Sequence, residues 1–353
     1  MGSDLPFINL ADDGIVPTPR EMARRLADLT ADGDIAADYY GDGGPVEALE
    51  RAVATVFAKE RAVMVPTGTM ANRLALQLMA RGPGPRVIVH RDSHVFNDAG
   101  DSATASGITL VPVAGRGAGF DPEQVLAEIA RAASARVKAT IGGIVIETPS
   151  RRLHNRIFDQ AARDGVVAVA NTHGIPLLLD GARVFIESAW TGRSPSEIAK
   201  PFDFVYLSLY KYLTAPFGAV LAGPAAALDG LFHERRRQGG GLYQMWPAAL
   251  LALDSLPSQT DLWRQTRLAS DAVLAALRAG GAEVNIYPDG SNCATLSIVR
   301  EAALFGDTGE SARSARLKFA SPSSGSLAIK ANASWLLASP DDVANRILSA
   351  LRL

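Results

Sequence analysis

Between about residue 62 and residue 223 the sequence alternates short apolar runs with longer segments of helical period. The runs are Ala62-Val-Met-Val, Arg86-Val-Ile-Val-His, Gly107-Ile-Thr-Leu-Val-Pro-Val, Ile141-Gly-Gly-Ile-Val-Ile-Glu-Thr, Gly174-Ile-Pro-Leu-Leu-Leu-Asp, Phe204-Val-Tyr-Leu-Ser-Leu and Gly218-Ala-Val-Leu-Ala-Gly. Runs that are apolar throughout, instead of at alternate positions, are expected to be buried on both faces. Such strands, separated by helices, predict an α/β fold with a mostly parallel sheet and right-handed crossovers.

In open sheets of this kind ligands bind outside the carboxyl ends of the strands. Thr67, His94, Glu147, Asp180 and Lys211 all fall at or just beyond a predicted strand end. Asp180 ends Leu177-Leu-Leu, and a buried carboxylate needs a partner; Arg183 is near in sequence. Lys211 follows Phe204 to Leu209, where desolvation lowers an amine's pKa and makes it a candidate nucleophile. Pyridoxal phosphate (PLP) uses both groups, a lysine for its aldehyde and a carboxylate for its pyridinium nitrogen. Alone, the pair also fits an α/β core whose strand ends happen to carry Asp and Lys. Thr67-Gly68-Thr69, at a strand-to-helix turn, offers N–H groups, a hydroxyl and a dipole end to a phosphate. It equally fits a structural helix cap.

With 353 residues, 48% of them hydrophobic, the chain can bury a large and a small domain. The divisions expected are an N-terminal arm over 1–20, a large cofactor-binding domain over 21–245 and a small C-terminal domain over 246–353. A net charge of -2 gives no basic excess for nucleic acid. No apolar run reaches about 18 residues, so no membrane span is expected. The first residues lack a basic and apolar signal region. The single cysteine, Cys293, excludes an intramolecular disulfide framework and a Cys-rich metal site. It reads as a packed core thiol in a reducing cytoplasm, and no metal is expected.

In the arm, Thr18 is a candidate cap with Pro19 at the first helical position of a helix over about 20–31. Pro122 to Ala133 and Ile157 to Gly165 also read as helical, as do 246 to 279 and Pro340 to Leu351. His233-Glu-Arg-Arg-Arg reads as a basic helix, either a solvated face or a subunit or phosphate contact. Small-domain strands are expected at Ala282-Glu-Val, Cys293 to Val299, Leu317 to Ala320 and Ser326 to Lys330.

Tyr40-Gly-Asp, Val65-Pro-Thr-Gly-Thr-Met-Ala-Asn, Ser93-His94, Asp180-Gly-Ala-Arg183 and Lys211 before Ala215-Pro-Phe-Gly occur in that order over nearly the whole chain. Together they resemble the low-specificity L-threonine aldolases of the beta-eliminating lyase family. The resemblance implies the PLP-dependent fold type I, with a seven-stranded-type sheet and a small α+β domain. It implies Lys211 as the residue joined to the cofactor and Asp180 as partner of the ring nitrogen. Arg183 would face the phenolic oxygen or the substrate, Gly68 and Thr69 the phosphate with Ser208 assisting, and His94 the ring face, as base toward a β-hydroxyl. Tyr40 and Arg237 would lie near a subunit interface that completes the site, in a homodimer or homotetramer.

The implied activity is carbon–carbon lyase chemistry, a β-hydroxy-α-amino acid giving an aldehyde and glycine, or the reverse addition. Other reactions on the same scaffold are β-elimination, decarboxylation, transamination and racemisation; a third reading is a PLP-binding module without catalysis. The substrate half departs from the family pattern. Asp12 stands where the family's arm carries a serine toward the substrate carboxylate, and Lys330 where it carries a clamping arginine. Glu147-Thr-Pro-Ser150 replaces Glu-Asn-Thr-His, placing Ser150 in the substrate region, and Tyr210 replaces the serine before the lysine. A substrate other than threonine is therefore expected. Asp12 would repel a substrate carboxylate unless it pairs with Lys330 or is protonated.

Overall fold

The computed structural model describes residues 5–33, 35–80, 85–297, 314–320 and 326–351. In chain order its strands are β1 (Ile8–Asn9), β2 (Arg61–Val65), β3 (Pro85–His90), β4 (Thr109–Val113), β5 (Thr140–Glu147), β6 (Leu177–Asp180), β7 (Phe204–Ser208), β8 (Ala219–Gly223), β9 (Val284–Asn285), β10 (Cys293–Ser297), β11 (Leu317–Lys318) and β12 (Ser326–Lys330). A seven-stranded sheet runs β2-β8-β7-β6-β5-β3-β4. Only β8 is antiparallel to its neighbours, so the rest run one way and present their carboxyl ends at one edge. The seven apolar runs of the sequence are these seven strands.

Consecutive residues of each strand feed opposite faces. Ile144, Ile146, Leu177, Leu179, Val205 and Leu207 enter one core cluster. Val87, Val89, Val145, Leu178, Phe204 and Tyr206 enter the other. Helices cover both faces, which is why these strands carry no polar alternation.

A second unit joins β9, β10 and β12 into an antiparallel sheet. Helices Gln259–Ala279 and Pro340–Leu351 pack on it around Leu296, Ile329 and Trp335. Helix Trp246–Ser255 packs instead with Gly44–Phe57, and Ala248, Ala252 and Trp263 join the core of the large sheet. Trp246–Ser255 and Trp263 thus belong to the core of the large sheet, and Val273, Leu274 and Leu277 of Gln259–Ala279 to that of the smaller one.

The arm is held by backbone pairing. β1 runs parallel with β11, Lys330 N donates to Leu10 O at 2.8 Å, and Asn332 Nδ2 donates to the carbonyls of Asn9 and Asp12, each at 2.9 Å. Leu317-Lys318 therefore pairs with the arm, not with the three-stranded sheet. The arm's helix Pro19–Leu29 starts as its sequence predicts, with Thr18 and Glu21 in a reciprocal capping box and Pro19 at the first position.

Two local expectations change, and part of a third lies outside the described residues. The helix expected over 157–165 is Gln160–His173, because Asp159 caps it through Ala162 N at 2.9 Å while Phe158 is drawn into the core. The basic helix is Leu231–Arg237, and Arg235 is buried, its guanidinium donating to Met64 O at 2.6 Å and Tyr40 O at 2.7 Å. Part of the expected Cys293 to Val299 strand, Ile298 and Val299, lies outside the described residues. Among the described residues no helix is long and apolar enough to cross a membrane.

Candidate active site

β5, β6 and β7 end side by side, and the register sets Glu147 opposite Asp180. Asp180 is buried. Its Oδ2 accepts from Asn72 Nδ2 at 3.0 Å and its Oδ1 from Ala182 N at 3.3 Å. Among the described residues it makes no ion pair, so Arg183 does not play the partner's part that its place in the sequence suggested. A buried carboxylate held only by neutral donors retains capacity for a cationic one. A protonated pyridinium fits that need, and Asp180 is the residue that would hold it.

Asn72 was absent from the sequence assignments although it lies in the quoted motif. It is buried one turn into the helix Gly68–Met79, on the face shared with Ala71, Ala75 and Leu76. A polar residue on an apolar face was the available signal. The same helix opens with Thr67 as cap, its hydroxyl accepting from Met70 N at 3.1 Å. The leading N–H groups of Gly68 and Thr69 precede the helical ladder and suit a phosphate. Gly68 is required sterically: a Cβ there would overlap the hydroxyl of buried Tyr206 on β7. Ser208, also buried, shares that face of β7 two residues on.

Lys211 follows β7 in a turn. Burial, then the Arg183 guanidinium, lowers its amine to about 8, opposed by the charges of Asp180, Asp13 and Glu147. Gly14 of the arm closes on its backbone, where a Cβ would lie 2.7 Å from Lys211 O. His94 begins the short helix His94–Asn97 after β3. Its backbone N donates to Glu147 Oε2 at 2.6 Å, and Arg151 N donates to Oε1 at 3.0 Å. Burial lowers the His94 pKa, so its imidazole is the neutral form at neutral pH and can accept a proton; Nδ1 is buried without a hydrogen-bond partner among the described residues.

Beside Asp12 the arm supplies a second aspartate that the sequence did not single out. Asp12 is only partly buried and pairs with Lys318 at 2.5 Å and Asn9 at 2.8 Å, not with Lys330. Asp13 is the buried one. It accepts from Arg183 Nη2 at 2.8 Å, Lys330 Nζ at 3.2 Å and Asn155 Nδ2 at 3.2 Å. Burial would raise its carboxyl, but Arg183 and then Lys330 hold it far below the ordinary carboxylate range. Motif spacing does not set the arm's register, which depends on the tertiary contacts of β1, β11 and Asn332.

Ser150 is buried close by, its backbone N bonded to Arg156 O at 2.9 Å. Tyr40 stands elsewhere, in a cluster with Tyr39 and Tyr243 and under Arg236, whose guanidinium carbon is 4.2 Å from its ring centroid. Arg237 is exposed and pairs with Glu234. Cys293 is a buried free thiol pushed up to about 11 by burial, as a packed core thiol would be.

A seven-stranded, nearly all-parallel sheet with a lysine and an acid at its carboxyl edge, an anchored arm and a small antiparallel unit defines a PLP-dependent fold type I protein. Residues 9–312 match the beta-eliminating lyase family, and the chain belongs to it; its members depend on PLP. The chain is 26% identical to low-specificity L-threonine aldolase 1 of Arabidopsis thaliana over 272 residues, 75% of each chain. It is 29% identical to alanine racemase TOXG of Cochliobolus carbonum over 205 residues, 55% of this chain and 50% of that one. A solved Leishmania major threonine aldolase shares the fold at TM-score 0.77 and 16% identity, covering 98% of this chain and 99% of that one.

Proposed function

We propose that this protein is a PLP-dependent carbon–carbon lyase that cleaves the Cα–Cβ bond of a β-hydroxy-α-amino compound to release an aldehyde. The observation that carries the reading is the buried Asp180, free of ion pairs among the described residues, at the same sheet edge as Lys211, whose amine is lowered to about 8.

Bound there, the cofactor supplies an electron sink for the bond broken at Cα. Lys211 would hold the cofactor through its aldehyde, and its lowered amine suits it to move a proton at Cα. Asp180 would pair with the ring nitrogen and favour its protonated form, with Asn72 fixing one carboxylate oxygen. Gly68 and Thr69 would hold the phosphate through backbone N–H groups, with the buried Ser208 hydroxyl assisting. His94, positioned through Glu147, accepts the β-hydroxyl proton. Asp12, Lys330, Ser150 and Tyr40 belong to the substrate side in this reading, with Asp13 added to them. The exposed Tyr39 and Tyr243 flank Tyr40, which supports a homodimer or homotetramer completing the site across an interface; a cytoplasmic location belongs to the same proposal.

Threonine is not the preferred substrate in this reading, because Lys330, which stands where the family carries a clamping arginine, lacks its two-point fork. The likeness to an alanine racemase favours a second reading, in which the Cα–H bond is broken and remade and no carbon–carbon bond is cleaved. One assay separates the two: holoenzyme is incubated with a panel of β-hydroxy-α-amino compounds and with L-alanine. Aldehyde release supports cleavage. Loss of optical activity in alanine without aldehyde from any panel member would replace it with racemisation.

A further inference from the structure

Two arginines stand beside the residue assigned as base. Glu147 accepts from the backbone N of His94 on one oxygen, at 2.6 Å, and from that of Arg151 on the other, at 3.0 Å. One carboxylate thus sets the base and the Arg151-Arg152 segment side by side. Asp98, which ends the short helix His94–Asn97, joins them a second time. Its N donates to His94 O at 2.8 Å, and its oxygens accept from Arg151 Nη2 at 2.5 Å and Arg152 Nη1 at 3.1 Å.

The charges in this group do not balance. Two guanidiniums share one carboxylate, each through a single nitrogen, and neither has another side-chain partner among the described residues. Both side chains are 42% exposed, so their remaining N–H groups are open to a ligand. Exposed ion pairs add little to stability, and a second arginine on the same carboxylate adds repulsion to the first. The arrangement does suit an incoming anion, since a guanidinium fork matches a carboxylate or a phosphate. If His94 takes the proton of the β-hydroxyl, whatever else the β-carbon carries lies on this side of the site.

We propose that Arg151 and Arg152 read an anionic group on the β-carbon's substituent, a carboxylate or a phosphate ester. The substrate is then a β-hydroxy-α-amino acid with a second anion beyond the bond that breaks. This rests on the cleavage reading above. The Cα–Cβ bond breaks, the hydroxyl proton passes to His94, and the oxygen becomes the aldehyde carbonyl. The electron pair of the broken bond ends in a new Cα–H bond, so one proton leaves the substrate and one returns. The products are glycine and an aldehyde that carries the anion, with no oxidant or reductant.

The test uses holoenzyme with 3-hydroxyaspartate, 4-hydroxythreonine 4-phosphate, threonine and β-phenylserine; the first two separate a carboxylate from a phosphate. Aldehyde release gives kcat/KM for each. Binding is read separately, from the cofactor's absorbance, with analogues that lack the β-hydroxyl: aspartate, O-phosphohomoserine and 2-aminobutyrate. At least one anionic compound is expected to exceed its uncharged counterparts tenfold in both measurements. The double variant Arg151→Gln, Arg152→Gln should cut that ratio at least tenfold, mainly through KM. Equal or better performance of the uncharged compounds overturns the proposal, as does a ratio that the double variant leaves unchanged with cofactor still bound. Tighter binding of an anionic analogue, lost in the double variant, with no aldehyde from any of the four substrates supports the arginines' role and overturns the cleavage reading instead.

Discussion

Glu147 and Asp180 lie directly across from each other where β5 and β6 end, both buried. Two carboxyls at that spacing cannot share one role. Burial, then the charge of Asp180, raises the Glu147 pKa, and the Glu147 oxygens are taken by the backbone N–H groups of His94 and Arg151. Asp180 keeps only neutral donors. The first therefore positions the His94 segment, and the second is left for the cofactor ring.

Substitutions at Asp180 should follow charge more than size. Asp180→Ala and Asp180→Asn are expected to lower kcat by roughly 100- to 1000-fold, the scale of losing one preorganised electrostatic stabiliser. Asp180→Glu should lose less. Steady-state kinetics on cofactor-saturated variants check this; equal activity in the Ala and Glu variants would remove the ring-nitrogen role.

The lowered Lys211 amine sets a pH dependence for cofactor uptake. The unprotonated amine is the form that attacks an aldehyde, and its fraction rises with pH through about 8. The rate at which apoenzyme takes up PLP should therefore rise with a midpoint near 8, well below that of an ordinary lysine. Stopped-flow absorbance from pH 6 to pH 10 reads it directly (~4 pH units, spanning the ordinary lysine value).

Asp13 should contribute to acid stability. Its folded pKa is depressed, so its contribution is fully present above the unfolded carboxylate value and is lost as pH falls toward the folded one. The difference in urea midpoint between the unaltered protein and Asp13→Asn should be largest near neutrality and shrink below about pH 4. A difference that grows with acidity would contradict the assignment.

Behind the site, Arg163 and Glu187 form a fully buried ion pair at 2.8 Å, and Thr148 donates to Glu187 at 2.6 Å. Removing one partner strands a charge, so Arg163→Ala should cost about 3–5 kcal/mol. Replacing both by Met and Leu should cost less. Equilibrium denaturation of the single and double variants measures the difference.

The strand ends were legible because an apolar run fixes both where a buried strand lies and which residue comes next to leave it. That logic brought Thr67, His94, Glu147, Asp180 and Lys211 to one edge. It could not choose between Asp12 and Asp13, since a two-residue strand and a side-chain tether from Asn332 set the arm's register. Burial of Arg235 was hidden for a similar reason: Leu231–Arg237 is too short for its period to separate an inner from an outer arginine. Asn72 was readable in principle from its apolar helix face, whereas the absence of an Asp180–Arg183 pair needed the competing Asp13 to be known.

The central claim is that Lys211 carries the cofactor opposite Asp180. Borohydride reduction of the purified holoenzyme, followed by digestion and mass spectrometry, tests it most directly. The account predicts a reduced pyridoxyl group on the peptide containing Lys211 and its absence from a Lys211→Ala variant. The same group on another lysine, or a protein that takes up no PLP, would contradict it.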